Sequence, residues 1–382
     1  MAPELVVGID FGTSECKAAV VVDGKPQPVA FDGRTSLASV VHVAPRGLLE
    51  VGKTNGHPAR TIHSIKRLLG RRHTEPEVRG VLQGLGYRVV AGDQDNLVIK
   101  ADDQQLAPVQ VVAAILEHVR VTAERQLGAR IGTAVLSAPV SRVAAYDEAL
   151  VRAARMAGLD VRMIVPEPTA AAWGAGLRRV DGTRRLALCD FGGGTFDCAL
   201  LSQTGGKLEV EATGGDAFLG GDDLDQALAD AVAGRLYRDE QVDLRRDAVV
   251  WADLVRRCEL VKRMLSTRDE TVLRLPDAYT VGGVRKELAL RVPRVTAERC
   301  WGTALDRAVE VLRATLSRAQ WPPQLLDAAL FVGGTCWVPA VQRALGLVVQ
   351  RERLPVAAME LAGAAGLSII GAAAASRVSS AA

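Results

Sequence analysis

The sequence contains few aromatic residues, little excess charge of either sign and no hydrophobic run long enough to span a bilayer. Only 4% of its 382 residues are aromatic although 48% are hydrophobic, which predicts a close-packed core of Ala, Val and Leu. The net charge of +3 comes from 47 basic and 44 acidic residues without a long basic block, so no nucleic-acid partner is predicted. The uncharged stretch 361–375 has 15 residues, whereas about 20 are needed to span a bilayer. This run predicts a buried C-terminal helix, and no membrane partner is expected.

Cysteine pairs with metal-ligand or redox spacing are also absent from the sequence. None of the six cysteines belongs to a Cys-x-x-Cys pattern and most lie within apolar runs, which indicates small buried hydrophobic side chains. The N-terminus lacks the basic segment of a secretory signal, and the first predicted strand begins almost at once. These features predict a reducing, cytoplasmic compartment.

The order of predicted elements indicates an α/β protein with two lobes. A chain of 382 residues exceeds what one core usually supports. Apolar residues recur at helical spacing over 108–127, 144–157 and 250–265, and strands are predicted between such helices. Three further segments are predicted as a basic helix over 59–72, a loop rich in Gly and Asp over 213–225, and one helix over 296–318.

The most informative stretch is 188–198, in which an acidic residue, three glycines, a hydroxyl and a second carboxylate occur within a few positions. Apolar runs on both sides predict two strands, with the glycines 192–194 in the hairpin tip. Glycine allows positive φ there, so that backbone N–H groups can approach an anion closely. Asp190 and Asp197 flank this tip, and carboxylates beside bound phosphates require a hard cation such as Mg²⁺ between them. The stretch therefore predicts a metal–nucleotide site.

A second stretch, 7–21, repeats the order of strand, Asp-Phe-Gly and strand. Asp10 corresponds to Asp190, and Gly12 corresponds to Gly192. Two such hairpins, about 180 residues apart, predict two similar lobes that each contribute one loop to a shared cleft. The alternative is that both are ordinary hairpin turns without a ligand, and their occurrence as a pair favours the shared cleft.

Two other junctions are candidates for the same cleft. Glu167 is predicted where a strand ends at Pro166 and a helix of small residues begins, a position that holds a carboxylate rigidly. Glutamate is also common at helix starts because of the helix dipole alone. A later strand ends in Gly333 and Gly334 before a helix, a geometry in which the backbone can lie against a nucleotide.

Together these stretches resemble the ATPase domain of the 70-kilodalton heat-shock (Hsp70) chaperone family, which has the actin-like ATPase fold. The resemblance extends over almost the whole chain and rests on six ordered motifs. They are Gly-Ile-Asp-Phe-Gly-Thr-Ser at 8–14, Ile-Lys-Arg-Leu-Leu-Gly-Arg-Arg at 65–72, Glu-Pro-Thr-Ala-Ala-Ala at 167–172, Asp-Phe-Gly-Gly-Gly-Thr-Phe-Asp at 190–197, Leu-Gly-Gly-Asp-Asp-Leu-Asp at 219–225 and Val-Gly-Gly-Thr at 332–335.

The resemblance implies an α/β fold of two duplicated ribonuclease-H-like lobes with ATP bound between them. Lobe I would comprise 1–184 and lobe II 185–355, and 356–382 would form a C-terminal helix that packs back on lobe I, with a short tail. The family's peptide-binding domain is absent from the sequence, whether the chain is complete or a piece of a longer protein.

The resemblance also assigns residues to the site. Asp10 and Asp190 would hold Mg²⁺ through water. Lys66 would spread charge on the γ-phosphate, and Asp197 or Glu167 would accept a proton from the attacking water. Catalytic roles are thus implied for Lys66, Glu167, Thr195 and Asp197. Phosphate contacts are implied for Gly12, Thr13, Ser14, Gly192, Gly193, Gly194, Gly220 and Gly221. Adenosine contacts are implied for Glu259, Lys262, Arg263, Ser266, Gly333, Gly334 and Trp337.

The sequence departs from the family pattern at several of these positions. Ser14 replaces a threonine but keeps the hydroxyl, whereas the carboxylate of Glu15 would weaken nucleotide binding unless it turns away. Trp337 replaces an arginine that packs on adenine, and an indole can also stack on a purine. An adenine-side acidic stretch is replaced by 355–360, and Asp147 aligns with an arginine that couples the ATPase and peptide-binding domains. These changes imply that one adenine contact and the domain coupling are lost.

Three classes of function remain open at this point. The first is a slow Mg-dependent ATPase whose open–closed lobe motion regulates a protein partner, and the retained catalytic side chains favour it. The second is a nucleotide-binding scaffold with little or no hydrolysis, favoured by Glu15, Trp337 and the missing domain. The third is an actin-like polymer, detectable by light scattering with ATP, or a small-molecule kinase, whose turnover needs an added acceptor. The fold by itself cannot decide among them.

Overall fold

The computed structural model describes residues 5–54, 57–101, 104–177, 183–205, 207–351 and 359–379. The first half of the chain forms β1 (Val6–Phe11), β2 (Glu15–Val22), β3 (Lys25–Pro28), β4 (Leu37–Ala38), β5 (Val41–Val43), β6 (Leu49–Val51), β7 (Thr61–Ile62), α1 (Pro76–Gln83), β8 (Arg88–Ala91), β9 (Leu97–Ala101), β10 (Gln104–Leu106), α2 (Pro108–Leu127), β11 (Thr133–Ala138), α3 (Ala144–Met156), β12 (Asp160–Pro166) and α4 (Glu167–Gly174). The second half forms β13 (Thr183–Phe191), β14 (Phe196–Thr204), β15 (Lys207–Asp216), α5 (Gly221–Glu240), α6 (Ala248–Leu265), β16 (Glu270–Val281), β17 (Val284–Pro293), α7 (Arg294–Cys300), α8 (Gly302–Arg318), β18 (Ala328–Val332), α9 (Pro339–Val349) and α10 (Ala362–Ser379).

Two sheets with the same local arrangement organise the molecule. The strand order is β12-β11-β1-β2-β3 in the first sheet and β15-β14-β13-β18 in the second. In each sheet the first strand of a hairpin also pairs in parallel with a later strand, β1 with β11 and β13 with β18. The predicted α/β class and both predicted hairpins are therefore confirmed.

Helices with one apolar face cover these sheets. Helix α2 begins at Pro108, which tolerates the first helical position because its missing N–H has no partner there, and ends before Gly128, whose φ is 63°. Its residues Val112, Ile115 and Val119, at helical spacing, are completely buried. A second core cluster lies between the second sheet and α5, α6, α8 and α9. Each sheet thus has its own hydrophobic core.

Helix α10 consists largely of small residues because it packs backbone to backbone against α4. A Cβ on Gly174 would overlap the carbonyl oxygen of Ala362, and a Cβ on Gly366 would overlap that of Ala170. The helix also contacts β1 and β2, and its Ala364 and Leu367 are completely buried. The position of α4, and of Glu167 at its start, therefore depends on this close packing.

Gly366→Ala is expected to lower the free energy of unfolding by about 1–3 kcal/mol, because the added methyl group must push α10 away from α4. Gly346→Ala in α9 is the matched control, since a Cβ there meets nothing within 4 Å and alanine favours a helix by about 1 kcal/mol. Denaturant unfolding of both variants measures the difference. Equal stability of the two variants would contradict the close packing.

Three local predictions are wrong or incomplete. Residues 59–72 form 3-10 turns at Pro58–Arg60 and Ile65–Leu68 with β7 between them, because Ser64 has a φ of 53°, which no α-helix accommodates. The predicted loop 213–225 is shorter, since β15 continues to Asp216 and α5 begins at Gly221. The single helix predicted over 296–318 is interrupted at the fully buried Trp301, whose Nε1 donates to the carbonyl of Leu224 at 3.0 Å.

Candidate functional site

The two hairpin tips face each other in direct contact. The first tip comprises residues 12–14 between β1 and β2, and the second tip comprises residues 192–195 between β13 and β14. Both tips close in the same way, by N–H bonds from Gly12 to Glu15 and from Gly192 to Thr195 at 3.1 and 3.0 Å. A Cβ on Gly193 would overlap Oγ of Ser14. The two loops that the sequence predicted at a shared cleft are therefore brought together.

The second tip is held so that its amide groups are available to an anion. The carbonyl oxygen of Gly192 accepts from the N–H of Gly221 at 3.0 Å and from Oγ1 of Thr335 at 2.8 Å. The carbonyl of Gly193 accepts from the N–H of Asp222 at 2.7 Å. In a trans peptide the next N–H points away from the carbonyl, so the tip N–H groups point away from α5. Successive N–H groups of this kind form an anion-binding concavity.

Asp10 and Asp190 are the next-to-last residues of the first strands of the two hairpins. Oδ1 of Asp10 accepts from the hydroxyl of Ser137 at 2.7 Å. Asp190 lies against Gly333, whose φ is 88°, and burial together with the charges of Glu167 and Asp10 raises the pKa of Asp190 to about 7. Beyond the effect of burial, the negative charges of Glu167 and Asp10 act unfavourably on the ionised Asp190. A bound divalent cation would relieve that repulsion.

Lys66 and Glu167 form a buried ion pair beside these carboxylates. Nζ of Lys66 donates to Oε1 of Glu167, and the two side chains are 3% and 8% exposed. Burial alone would lower the pKa of Lys66, but the charge and hydrogen bond of Glu167, together with the charges of Tyr146 and Asp10, outweigh burial and raise the pKa, so the ammonium stays charged. Burial raises the pKa of Glu167. A carboxylate in this setting is a stronger proton acceptor than one in water.

Asp197 is completely buried, and among the described residues only one of its two carboxylate oxygens has hydrogen-bond partners. Its Oδ1 accepts from the N–H of Val140 at 3.0 Å and from the hydroxyl of Ser141 at 3.4 Å. Its Oδ2 is buried, and no hydrogen-bond donor among the described residues reaches it. Burial, followed by the charges of Glu167 and Asp190, raises the pKa of Asp197. Thr195, two residues earlier in the second tip, is also buried.

The donor set fits a magnesium–nucleotide complex. The unpaired oxygen of Asp197 and the mutually repelling Asp10 and Asp190 can bind water or a hydrated cation, and the glycines of the second tip leave backbone amides for phosphate. Within the described residues, no three His, Cys, Asp or Glu side chains are grouped to coordinate a metal directly. Mg²⁺ commonly keeps several water ligands, which this arrangement allows.

The residues implied for adenosine lie on elements that are attached to the second tip. Lys262 of α6 is buried and donates to the carbonyl of Gly221 at 2.8 Å and to Asp225 at 2.6 Å. A Cβ on Gly221 would lie 2.7 Å from Oγ1 of Thr335, in the turn that ends at Trp337. Lys262 is therefore buried, whereas charged residues on adjacent turns of a helix usually form ion pairs at the surface. Gly220, the residue before α5, donates its N–H to Asp223 at 2.7 Å.

The other adenosine candidates are more accessible. Glu259 and Arg263 form a surface ion pair at 2.8 Å, and Ser266 at the end of α6 donates to the carbonyl of Lys262 at 3.3 Å. Trp337 is 56% exposed, so its indole ring is accessible to a ligand on which it can stack. Gly334 opens the turn before it.

The structure describes one of two departures from the family pattern, at Glu15, and mostly leaves out the other, at 355–360. Oε2 of Glu15 lies 3.6 Å from Nζ of Lys17, and the Glu15 side chain is 41% exposed. This carboxylate therefore has a cationic neighbour on its own strand. The replaced acidic stretch, 355–360, falls mostly in 352–358, which lies outside the described residues.

Comparison with known proteins identifies the family. The sequence model of the family described as Hsp70 protein matches residues 6–379. The chain is also similar to the heat shock 70 kDa protein, mitochondrial, of Solanum tuberosum, with 34% identity over 343 residues, which cover 88% of this chain and 50% of that relative. The chain belongs to the Hsp70 family. Its fold is accordingly the actin-like ATPase fold, and the chain spans half the length of the relative.

No helix among the described residues is both long and apolar enough to cross a bilayer.

The structure also shows contacts across the cleft that sequence reasoning missed in this Hsp70-family chain. Ser64 donates its hydroxyl to Asp222 at 2.7 Å, and the guanidinium of Arg67 donates to both oxygens of Asp223 at 3.0 Å. These contacts join the turn that carries Lys66 to the first turn of α5. The adjacent aspartates within 219–225 were the available signal, because such a pair at a helix start favours a basic partner.

Trp251 makes a third contact of this kind. Its Nε1 donates to the carbonyl of Gln83 at 3.0 Å and so connects α6 with α1. Trp251→Phe keeps the ring packing but removes this hydrogen bond, which contributes about 1 kcal/mol. Nucleotide release is therefore expected to become about fivefold faster, as measured by displacement of a fluorescent nucleotide. Trp321→Phe, in the segment after α8, is the control, and an equal effect of both changes would contradict a role for the Trp251 contact.

Proposed function

We propose that this chain binds ATP with Mg²⁺ between its two lobes and hydrolyses it slowly, and that the resulting change between open and closed lobes regulates a protein partner. The observation that carries the proposal is the buried Lys66–Glu167 pair next to the half-satisfied Asp197, beside two glycine-rich tips in contact. We place lobe I at 1–184, lobe II at 185–355, and the C-terminal helix within 356–382 on lobe I. The packing of α10 against α4, β1 and β2 supports this division.

Each side chain has a role that its surroundings support. The tip N–H groups, with the hydroxyls of Thr13 and Ser14, bind phosphate oxygens, while Asp10 and Asp190 hold the hydrated cation. Mg²⁺, when bound, would neutralise the charge of the phosphates. The remaining work is positioning and charge stabilisation.

The proton and the attacking water are handled by the buried charges. Lys66 turns its ammonium from Glu167 toward the terminal phosphate, where negative charge develops during cleavage. Glu167 and Asp197 orient the water, and one of them accepts its proton, for which their raised pKa values suit them. The hydroxyl of Thr195 is placed in the second tip to hold the same water.

The nucleoside part is proposed to lie between α6 and the turn that ends at Trp337. Glu259, Arg263 and Ser266 would contact the base and ribose from one side, with Lys262 supporting the start of α5. Gly333, Gly334 and the exposed indole of Trp337 would face the base from the other side.

A single-turnover assay with trace labelled ATP, with and without Mg²⁺, tests the function. We expect tight binding and slow, magnesium-dependent release of phosphate that follows first-order kinetics. Binding without hydrolysis would replace the ATPase with a nucleotide-binding scaffold. Light scattering that rises with protein concentration in ATP would indicate an actin-like polymer, and turnover that needs an added acceptor would indicate a kinase.

We also propose a reducing, cytoplasmic setting and a protein partner. None of the six cysteines, which all lie among the described residues, is in a disulfide, and five of them are buried, so the described part of the fold does not require an oxidising compartment. The similar Solanum tuberosum protein is, by its name, mitochondrial.

Pull-down with the protein loaded with ATP and with ADP tests for a protein partner that distinguishes the two states.

A further inference from the structure

One buried hydroxyl in the first turn of α3 has no partner. Tyr146, the third residue of this helix, is 4% exposed. Among the described residues, no hydrogen-bonding group reaches its hydroxyl oxygen. A buried hydroxyl without a partner is unfavourable and uncommon in folded proteins. Its presence therefore points to a partner that becomes available at another stage of the protein's work.

The first turn of α3 is attached to the catalytic groups on two sides. A Cβ on Gly70, four residues after Lys66, would lie 2.6 Å from the backbone N of Tyr146. The loop just before α3 binds Asp197 through Val140 and Ser141. The hydroxyl of Tyr146 is thus carried by a turn that touches both the Lys66 segment and the Asp197 loop.

Four charged groups act on Tyr146, and two of them already satisfy each other. Arg142 donates to Asp147 with 3.0 Å between Nη2 and Oδ2, and to the carbonyl of Pro139 at 2.8 Å. The other two charges are those of Lys66 and Glu167. Burial is the main cause of the raised pKa of Tyr146, so its hydroxyl keeps its proton and can donate.

We propose that Tyr146 is a positioning residue for Glu167, and that its hydroxyl donates to the Glu167 carboxylate when Lys66 turns toward the terminal phosphate. This inference rests on the proposed function, because it requires Lys66 to leave Glu167 during turnover. Without a substitute donor, Glu167 would then be a buried carboxylate without its cation. A rotatable hydroxyl can supply that hydrogen bond and keep the carboxylate ionised and oriented toward the water.

Thermal unfolding without nucleotide tests the hydroxyl independently of activity. Tyr146→Phe alone is expected to leave the midpoint unchanged or to raise it, because it removes only an unpaired buried group. In a Lys66→Met background the hydroxyl is expected to bond Glu167 already without nucleotide, so the same Tyr146→Phe change is expected to lower the midpoint by about 2 °C. An equal effect of Tyr146→Phe in both backgrounds would overturn the proposal.

Single-turnover hydrolysis provides the second readout, with Lys66 left intact. Tyr146→Phe is expected to slow hydrolysis about tenfold, while nucleotide affinity stays within about twofold. The acid limb of the rate–pH profile is expected to move to higher pH, because Glu167 loses a hydrogen bond to its charged form. Tyr279→Phe in β16 is the matched control, and it should change neither the rate nor the profile.

The outcomes distinguish failure of the role of Tyr146 from failure of the proposed function. If wild type hydrolyses ATP and Tyr146→Phe does so at the same rate with the same pH profile, the role of Tyr146 is refuted while the proposed function stands. If wild type binds nucleotide but shows no hydrolysis, the proposed function fails and this inference fails with it.

Discussion

Lys66→Ala is expected to slow single-turnover ATP hydrolysis by about 10²–10³-fold while nucleotide binding is retained. The ammonium of Lys66 is buried and keeps its charge because of Glu167, so it is a fixed positive group available to the charge that develops on the terminal phosphate. Most of the proposed nucleotide contacts come from the tips, α6 and the turn at Trp337, which the change does not touch. Quench-flow with labelled ATP measures the rate, and filter binding measures retained nucleotide.

The same substitution is expected to make stability strongly dependent on pH. Without Lys66, Glu167 is a buried carboxyl whose folded-state pKa is raised above its ordinary value of 4.5 by burial. A group with a raised folded-state pKa stabilises the fold fully below its unfolded pKa and loses that contribution as pH rises through the folded value. Lys66→Ala should therefore approach wild-type stability near about pH 4.5 and fall below it as the pH rises.

Lys53→Ala is the control for Lys66→Ala. Lys53 pairs with Glu50 at 2.6 Å, and its side chain is 43% exposed, so removal of its charge should alter neither hydrolysis nor the pH dependence of unfolding. Wild-type hydrolysis by Lys66→Ala would remove Lys66 from the mechanism. Loss of nucleotide binding by Lys66→Ala would instead place the ammonium in the ground-state complex.

Asp190→Asn is expected to have opposite effects on the metal site and on the fold. Nucleotide binding should need about 10–100-fold more Mg²⁺, because the amide is a neutral and weaker partner for a hydrated cation. The pKa of Asp190 is raised to about 7 by burial and by the charges of Glu167 and Asp10. Its ionisation therefore costs stability in the protein without nucleotide, and this cost grows as the pH rises from the ordinary value of 3.8 through about 7.

Thermal unfolding of Asp190→Asn without nucleotide should therefore give a midpoint above that of wild type at about pH 8, by about 2–4 °C, and a smaller difference at about pH 5. Magnesium titration of nucleotide binding gives the second measurement. Asp239→Asn, which changes an exposed ion pair with Arg235, is the control. Unchanged magnesium dependence with unchanged stability would remove Asp190 from the cation site.

Local patterns were sufficient to predict the two hairpins and the long helices. Strands β13 and β14 each contain a short apolar run, 186–189 and 198–201, and the glycines between the strands favour a tight turn. Helix α2 is flanked by Pro108 and Gly128, and its predicted bounds are those of the structure. In these segments the residues that form the element also contain the signals for its ends.

Segments whose structure depends on distant partners were predicted less well. The apolar spacing over 59–72 favoured a helix, yet Lys66 turns inward to Glu167 and Arg67 to Asp223, residues from two other parts of the chain. The loop predicted over 213–225 is partly a strand because Asp216 pairs with Phe196. Each of these partners lies far along the chain from the segment that it contacts, so local sequence propensity could not include its effect.

The residues of the proposed site likewise divide into those that the local sequence predicted and those that only packing revealed. The sequence by itself determined the two acidic, glycine-rich hairpins and the Glu-Pro-Thr junction, because a tight turn and a fixed carboxylate need particular residues at adjacent positions. Only the tertiary structure decided that Lys262 is internal, that Ser64, Arg67 and Trp251 bridge the cleft, and that the hydroxyl of Tyr146 is left unpaired. These outcomes depend on which charges and hydroxyls lose water and which partners they meet, and burial is a property of the packed chain rather than of any one segment.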